Sequence, residues 1–178
     1  AGTHKGIFGP RGTGIVWAKA ENWKSLRMLF PAFAKDTFSA WLAGSVPNAP
    51  MQASWMTQGG FHAFEYEWSL PAAFEFQKKI GRENASRRIH SLNDQCKEGL
   101  AAIKNVRLRT PPGSKLSSGL IAFEVDRMKP AEVVERLHAK RIIASTAPYK
   151  ESYVRVAPSL LNTPEEIEAT LRSIRELA

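Results

Sequence analysis

The apolar positions of this chain change their period along its length, and the change separates two kinds of structure. Between residues 68 and 103 hydrophobic side chains recur at helical spacing, through Leu70, Ala73, Phe74, Phe76 and Ile80 and then Ile89, Leu92, Cys96, Leu100 and Ile103. A return every three or four residues places them on one face of a long helix. Gly81 falls between the two sets, where it interrupts or bends that helix. From residue 106 the pattern shortens. Val106-Arg107-Leu108-Arg109 and Leu120-Ile121-Ala122-Phe123-Glu124-Val125 predict strands joined by a Pro111-Pro112-Gly113-Ser114 turn, and residues 130–140 predict a helix with proline in its first turn. Residues 141–145 and 153–156 predict two further strands around Thr146-Ala147-Pro148-Tyr149.

A last helix starts at Thr163. Threonine suits the N-cap, Pro164 the first helical position, and Glu165, Glu166 and Glu168 the positive end of the helix dipole. Strand, strand, helix, strand, strand, helix implies a small α+β layer with helices over one sheet face. Residues 1–58 are different. They are rich in Gly, Pro and Trp, and only residues 14–19 read as a strand.

Composition narrows the class. With 178 residues, 43% hydrophobic and 24% charged, the chain has enough apolar material for a core and is globular rather than disordered in character. A single cysteine excludes an internal disulfide framework, and no Cys/His cluster has zinc-site spacing, so no metal is expected. No apolar run approaches the roughly 20 residues that cross a bilayer, and no membrane partner is expected. The net charge of +8 raises the question of nucleic acid. Its basic residues are dispersed, with short clusters at Lys78-Lys79, Arg87-Arg88 and Lys140-Arg141, and no recognition-helix, zinc-finger or base-stacking motif accompanies them. Solvated helix faces explain the charge better than nucleic-acid binding.

The chemistry concentrates at the two ends. Gly2-Thr3-His4-Lys5-Gly6-Ile7-Phe8-Gly9-Pro10-Arg11-Gly12-Thr13-Gly14-Ile15-Val16 sets a lysine beside a histidine, just ahead of a Gly-rich turn. A lysine amine attacks carbonyls, including the aldehyde of pyridoxal phosphate, when its surroundings favour the neutral amine or the protonated imine. The segment resembles the lysine motif of class V aminotransferase-fold enzymes, in which a His-Lys pair precedes Gly-Pro-x-Gly-x-Gly and a strand. Val154-Arg155-Val156-Ala157-Pro158-Ser159-Leu160-Leu161-Asn162-Thr163-Pro164-Glu165-Glu166 is similar to that family's arginine strand and the helix start that follows it.

That resemblance implies an α/β fold with an α+β C-terminal domain, the C-terminal half of a fold type I pyridoxal 5'-phosphate-dependent transferase. Residues 1–67 would form the tail of the large cofactor domain, 68–103 the long connecting helix and 104–178 the small C-terminal domain. The first half of the large domain would be missing, with the acid that pairs the pyridine nitrogen, so this portion alone is expected to be inactive. Lys5 would be the catalytic Schiff-base lysine. His4 would bond the cofactor phosphate or, as a bland alternative, pack locally; Gly59 and Gly60 would meet a phosphate through backbone amides. Arg155 would grip the substrate carboxylate through two parallel hydrogen bonds, or else pair structurally with an acid. Asn162 reads as a turn or capping residue.

The implied partners are an amino-acid-like substrate and, in the full-length protein, a second copy forming a homodimer. Localisation is unknown from the sequence, cytoplasmic only by default, because the natural N-terminus is expected to be missing. The Gly-Thr-His-Lys and Gly-Gly-Phe-His-x-Phe-Glu segments are most similar to the isopenicillin N epimerase-like branch, which implies epimerase-like or aminotransferase-like action at the α-carbon. The cysteine that desulfurases of this fold carry before the arginine strand has no counterpart in Ala144-Ser145-Thr146-Ala147-Pro148-Tyr149, and Cys96 reads as an inert core thiol. A carbon–sulfur lyase of the same fold is the alternative enzyme, and a non-catalytic remnant or interaction domain the alternative of another class.

Overall fold

A computed structural model describes residues 1–28, 32–56 and 63–178. The chain divides into two compact units, Ala1–Lys79 and Ile80–Ala178.

The first unit contains the short helices α1 (Ala20–Trp23), α2 (Lys35–Leu42) and α3 (Phe64–Trp68) and most of α4 (Leu70–Ile80). Trp55, Ala32 and Met51 form its small buried cluster. The strand expected over residues 14–19 does not form: an isolated antiparallel bridge joins Gly2 to Gly14, Ile15 exchanges backbone hydrogen bonds with Ala1, and residues 16–19 have no strand partner among the described residues. Alternating bulk alone does not make a strand, because the extended backbone needs a neighbour to accept its hydrogen bonds.

The helical stretch expected from the apolar period is broken where Gly81 stands. Its φ of +83° ends α4 at Ile80, and α5 (Arg82–Ala101) begins one residue later. An L-residue in that left-handed conformation costs roughly 1–2 kcal/mol, and glycine avoids it.

The second unit is a four-stranded antiparallel sheet, in the order β1-β2-β4-β3, formed by β1 (Val106–Leu108), β2 (Ile121–Val125), β3 (Ser145–Thr146) and β4 (Val154–Val156). Helices α5, α6 (Pro130–Ala139) and α7 (Pro164–Arg175) cover one face. Period-2 alternation decides which side chains meet them. Ile121, Phe123 and Val125 of β2 and Val154 and Val156 of β4 point into a core with Leu92, Cys96 and Leu100 of α5, Val133 and Leu137 of α6, and Ile167, Leu171 and Ile174 of α7. Each such large aliphatic or aromatic side chain contributes roughly 1.5–3 kcal/mol through burial. Ala122, Glu124 and Arg155 alternate with them and face the other way.

Lys97 on α5 is 2% exposed and still keeps its charge satisfied. Its ammonium donates to Pro112 O at 2.7 Å and Ser117 Oγ at 3.0 Å, and it lies 2.9 Å from the Asp94 carboxylate. The lysine thereby pins the loop between β1 and β2 to the helix.

The strand expected over residues 141–145 is reduced to Ser145–Thr146. The cause is the end of α6. Arg141 N–H donates to His138 O at 2.8 Å and Ile142 N–H to Leu137 O at 2.9 Å, the two bonds of a Schellman cap, with Arg141 left-handed at φ +62°. The chain leaves the helix late, and of the expected stretch only Ser145, followed by Thr146, pairs with β4. At α7 the expected start is realised in full: Thr163 Oγ1 accepts from Glu166 N–H at 3.2 Å and Glu166 Oε2 accepts from Thr163 N–H at 3.0 Å, a capping box. Among the described residues no helix is long and apolar enough to cross a membrane.

Candidate active site

Lys5 lies in the first unit, at the start of a four-residue turn closed by Phe8 N–H donating to Lys5 O at 3.0 Å. The turn is fastened to α4 from two sides. Gln77 Nε2 donates to Gly6 O at 3.0 Å, and the Phe8 ring meets Phe76 edge-on at 6.0 Å. These contacts hold Phe8 at φ +61°, a conformation that costs an L-residue roughly 1–2 kcal/mol. Beneath the turn the buried Thr3 and Thr13 hydroxyls bond each other, Thr13 Oγ1 donates to Pro10 O at 2.7 Å, and Gly9 N–H donates to Thr3 O at 2.9 Å. Glycine is required at position 9 by close approach: a Cβ there would lie 2.9 Å from Leu70 Cδ2 and 3.1 Å from Thr3 O.

The result is a rigid frame carrying an exposed lysine. Lys5 and His4 both reach solvent, and among the described residues no carboxylate pairs with Lys5 Nζ. A primary amine that is accessible, unpaired and mounted on a fixed turn fits an aldehyde cofactor, so the residues present are compatible with pyridoxal phosphate. Gly59 and Gly60, expected at a phosphate, lie outside the described residues.

Arg155 lies in the second unit, on β4, opposite Ala122 on one side and Ser145 on the other. Val154 and Val156 anchor it from the core face, leaving its guanidinium on the open face of the sheet. The acids nearby are occupied. Glu124 accepts from Arg109 Nε at 2.6 Å, and Arg109 also lies over the Tyr153 ring at 5.4 Å. Arg155 has no carboxylate partner among the described residues. Its Nη2 donates to Ser145 Oγ at 3.2 Å, while its Nε is buried without an acceptor. A guanidinium with spare donors is poorly satisfied by one neutral hydroxyl, and a carboxylate is the acceptor that matches its fork. Ser145 as the residue steadying Arg155 has no signal in sequence spacing, because strand pairing alone brings positions 145 and 155 together.

Arg155 borders a cleft of about 650 Å³ at the end of the sheet. Segment 141–145, the residues after β4 and the first turns of α7 form its walls, and Cys96 reaches it from α5. Cys96 is 1% exposed; burial, assisted by the charge of Glu168, pushes its thiol up to about 12. That thiol is a packing group, not a nucleophile. Glu166, the acid of the cleft, is committed to its helix: the Asn162 amide, donating at 3.0 Å, and the Thr163 N–H hold its carboxyl below the ordinary range. Among the described residues no cluster of His, Cys, Asp and Glu suits a metal ion.

The fold matches the apo cysteine desulfurase of Thermococcus onnurineus NA1 with a TM-score of 0.81 at 20% identity, over 99% of this chain and 45% of that one. The cysteine desulfurase CsdA of Escherichia coli, in its S-sulfonic acid form, matches with a TM-score of 0.71 at 18% identity, over 96% of this chain and 43% of that one. The cystine C–S lyase C-DES, solved with its product cysteine persulfide, gives 0.64 at 19% identity, over 75% of this chain and 35% of that one. The chain therefore spans less than half the length of these proteins. Among curated proteins none matches by sequence. The fold is the mixed α/β fold of type I pyridoxal phosphate enzymes, with the α+β layer at its C-terminal end. The family model described as aminotransferase class-V matches residues 1–169, and with its lysine turn and arginine strand this chain belongs to the class V aminotransferase family, whose cofactor is pyridoxal phosphate.

Proposed function

We propose that this chain supplies the cofactor-anchoring lysine and the carboxylate-binding arginine of a pyridoxal phosphate-dependent enzyme that cleaves a carbon–sulfur bond of an amino acid. The observation that carries the reading is Arg155, a guanidinium without an acid partner among the described residues, steadied by Ser145 beside an open cleft. The carbon–sulfur outcome is supported by likeness in fold to a cystine C–S lyase and to cysteine desulfurases. Cys96 is too deeply buried to take up sulfur, so in this reading the sulfur leaves on the product and not on Cys96.

Bound pyridoxal phosphate would withdraw electrons from the substrate α-carbon. Arg155 then fixes the α-carboxylate end-on through its Nη groups, because its Nε is turned inward. Lys5 Nζ would hold the cofactor and would be the base that takes the proton from the substrate Cα. As the Cβ–S bond breaks, the electron pair departs with sulfur as a thiol or persulfide, and the unsaturated amino acid hydrolyses to pyruvate and ammonia. His4, exposed next to Lys5, is available to the cofactor phosphate, and a homodimer, which the family resemblance implies, is part of the reading.

A second reading keeps the side chain intact. The Gly-Thr-His-Lys segment is similar to the isopenicillin N epimerase-like branch, whose members epimerise or transaminate. One experiment separates the two. The full-length protein that contains this chain is reconstituted with pyridoxal phosphate, its visible absorbance is compared with that of Lys5→Ala, and L-cystine is added. Loss of the lysine-dependent band in the variant, with pyruvate and cysteine persulfide released by the parent, is expected. A band unchanged by Lys5→Ala refutes the cofactor assignment, and racemised or transaminated substrate without pyruvate selects the second reading.

A further inference from the structure

The cleft beside Arg155 holds a second arginine that the family resemblance does not use. Arg141 lines the same cleft from the other wall, at the end of α6. It occupies the C′ position of a Schellman cap at φ +62°, where glycine is the usual residue because an L side chain there costs roughly 1–2 kcal/mol. A costly conformation retained at the rim of a cleft is a reason to ask what the side chain does.

Its charge is uncompensated. Among the described residues no carboxylate pairs with Arg141, and the acid nearest in the cleft, Glu166, already accepts from Asn162 and Thr163. Arg155 is in the same condition. Two arginines line one concavity with apolar walls from Ile142, Leu120 and Pro158 against the single carboxylate of Glu166, so its lining carries a net positive charge. Next to Arg141, Ile143 is 92% exposed and adds an apolar lip between charged rim and solvent.

From this pairing we infer that Arg141 is a substrate-binding residue for a second anionic group, so that the preferred substrate is an amino acid with a carboxylate or phosphate at the far end of its side chain. The inference rests on Arg155 as the α-carboxylate site. Arg155 fixes the near end, the aliphatic portion crosses the apolar wall, and Arg141 takes the distal anion through its fork.

The test titrates the full chain, with 15N-labelled arginine side chains, against L-glutamate, O-phospho-L-serine and the neutral L-norvaline, following the Nε–Hε resonances by NMR. Both arginine signals should shift with the two anionic ligands, and those ligands should bind about tenfold more tightly than norvaline. Arg141→Asn, a residue suited to the left-handed position, should remove that preference and leave norvaline affinity unchanged; Arg141→Lys should restore part of it. Arg155→Gln should weaken all three ligands. If Arg141→Asn leaves the anionic preference intact, the second subsite is wrong while the carboxylate site stands. Should Arg155→Gln leave norvaline affinity unaltered, the carboxylate site itself is wrong and the inference falls with it.

Discussion

Cys96 gives the sharpest test of how this chain could handle sulfur. Its thiol is 1% exposed, on the face of α5 that meets Val156 and Ile167, and burial together with the negative charge of Glu168 lifts it from an ordinary 9.0 to about 12. A rise of three units leaves about a thousandfold fewer thiolates at any pH below both values, before access is considered. Iodoacetamide should therefore modify Cys96 in the folded chain at least about a thousandfold more slowly than in denaturant at pH 7.5. The same shift makes a stability statement. Below pH 9 the thiol is protonated in folded and unfolded chains alike, and its contribution is complete. Between 9 and 12 only the unfolded chain releases the proton, so stability falls by about 1.4 kcal/mol per pH unit, to a total of about 4 kcal/mol.

Cys96→Ala removes that alkaline slope and costs about 1 kcal/mol at neutral pH, as for other one-atom core truncations. Denaturant melts of both forms from pH 7 to 11 measure the difference. It should leave carbon–sulfur cleavage by the reconstituted full-length protein intact. Alkylation within tenfold of the unfolded rate, or equal alkaline slopes in the two forms, would refute the burial argument. Loss of cleavage in a folded Cys96→Ala protein would show that sulfur does pass through the thiol.

Two packing predictions bear on the scaffold of the arginine cleft. A Cβ on Gly99 would fall inside contact with Leu171 Cδ1 and lie 3.1 Å from its Cγ, so Gly99→Val should separate α5 from α7; overpacking of about 1–3 kcal/mol outweighs the few tenths gained in helix propensity. A thermal melt of the variant should show the loss, and an unchanged melt would mean that Leu171 has room to turn. Thr163→Ala breaks the capping box and should cost about 1 kcal/mol, read by chemical denaturation and by faster amide exchange at Glu166. Equal exchange in both forms would show that Pro164 and the acidic first turn suffice to start the helix.

Local rules were legible where a few neighbouring residues settle the outcome. The capping residues of α7 lie within four positions of one another, and Gly81 breaks the helix through its own φ, so both could be read directly. The apolar periods likewise marked which faces of α5, β2 and β4 would be buried, because alternation and helical recurrence carry that information along the chain. Residues 14–19 carried the pattern of a strand without a described partner, and 141–145 carried it into a region where the α6 cap postpones the strand.

The lysine and the arginine strand were recognisable because each is embedded in a contiguous motif, Gly2 to Val16 and Val154 to Glu166. Sequence alone thus gave the candidate chemical groups and, from residue 106 onward, the order of elements. Tertiary structure decided what those groups face. Glu124 is taken by Arg109 and Glu166 by its own helix start, which leaves Arg155 and Arg141, both lining one cleft, without an acid partner among the described residues. Ion pairing and burial depend on neighbours that a fold brings together from distant positions, and no spacing along a chain encodes them.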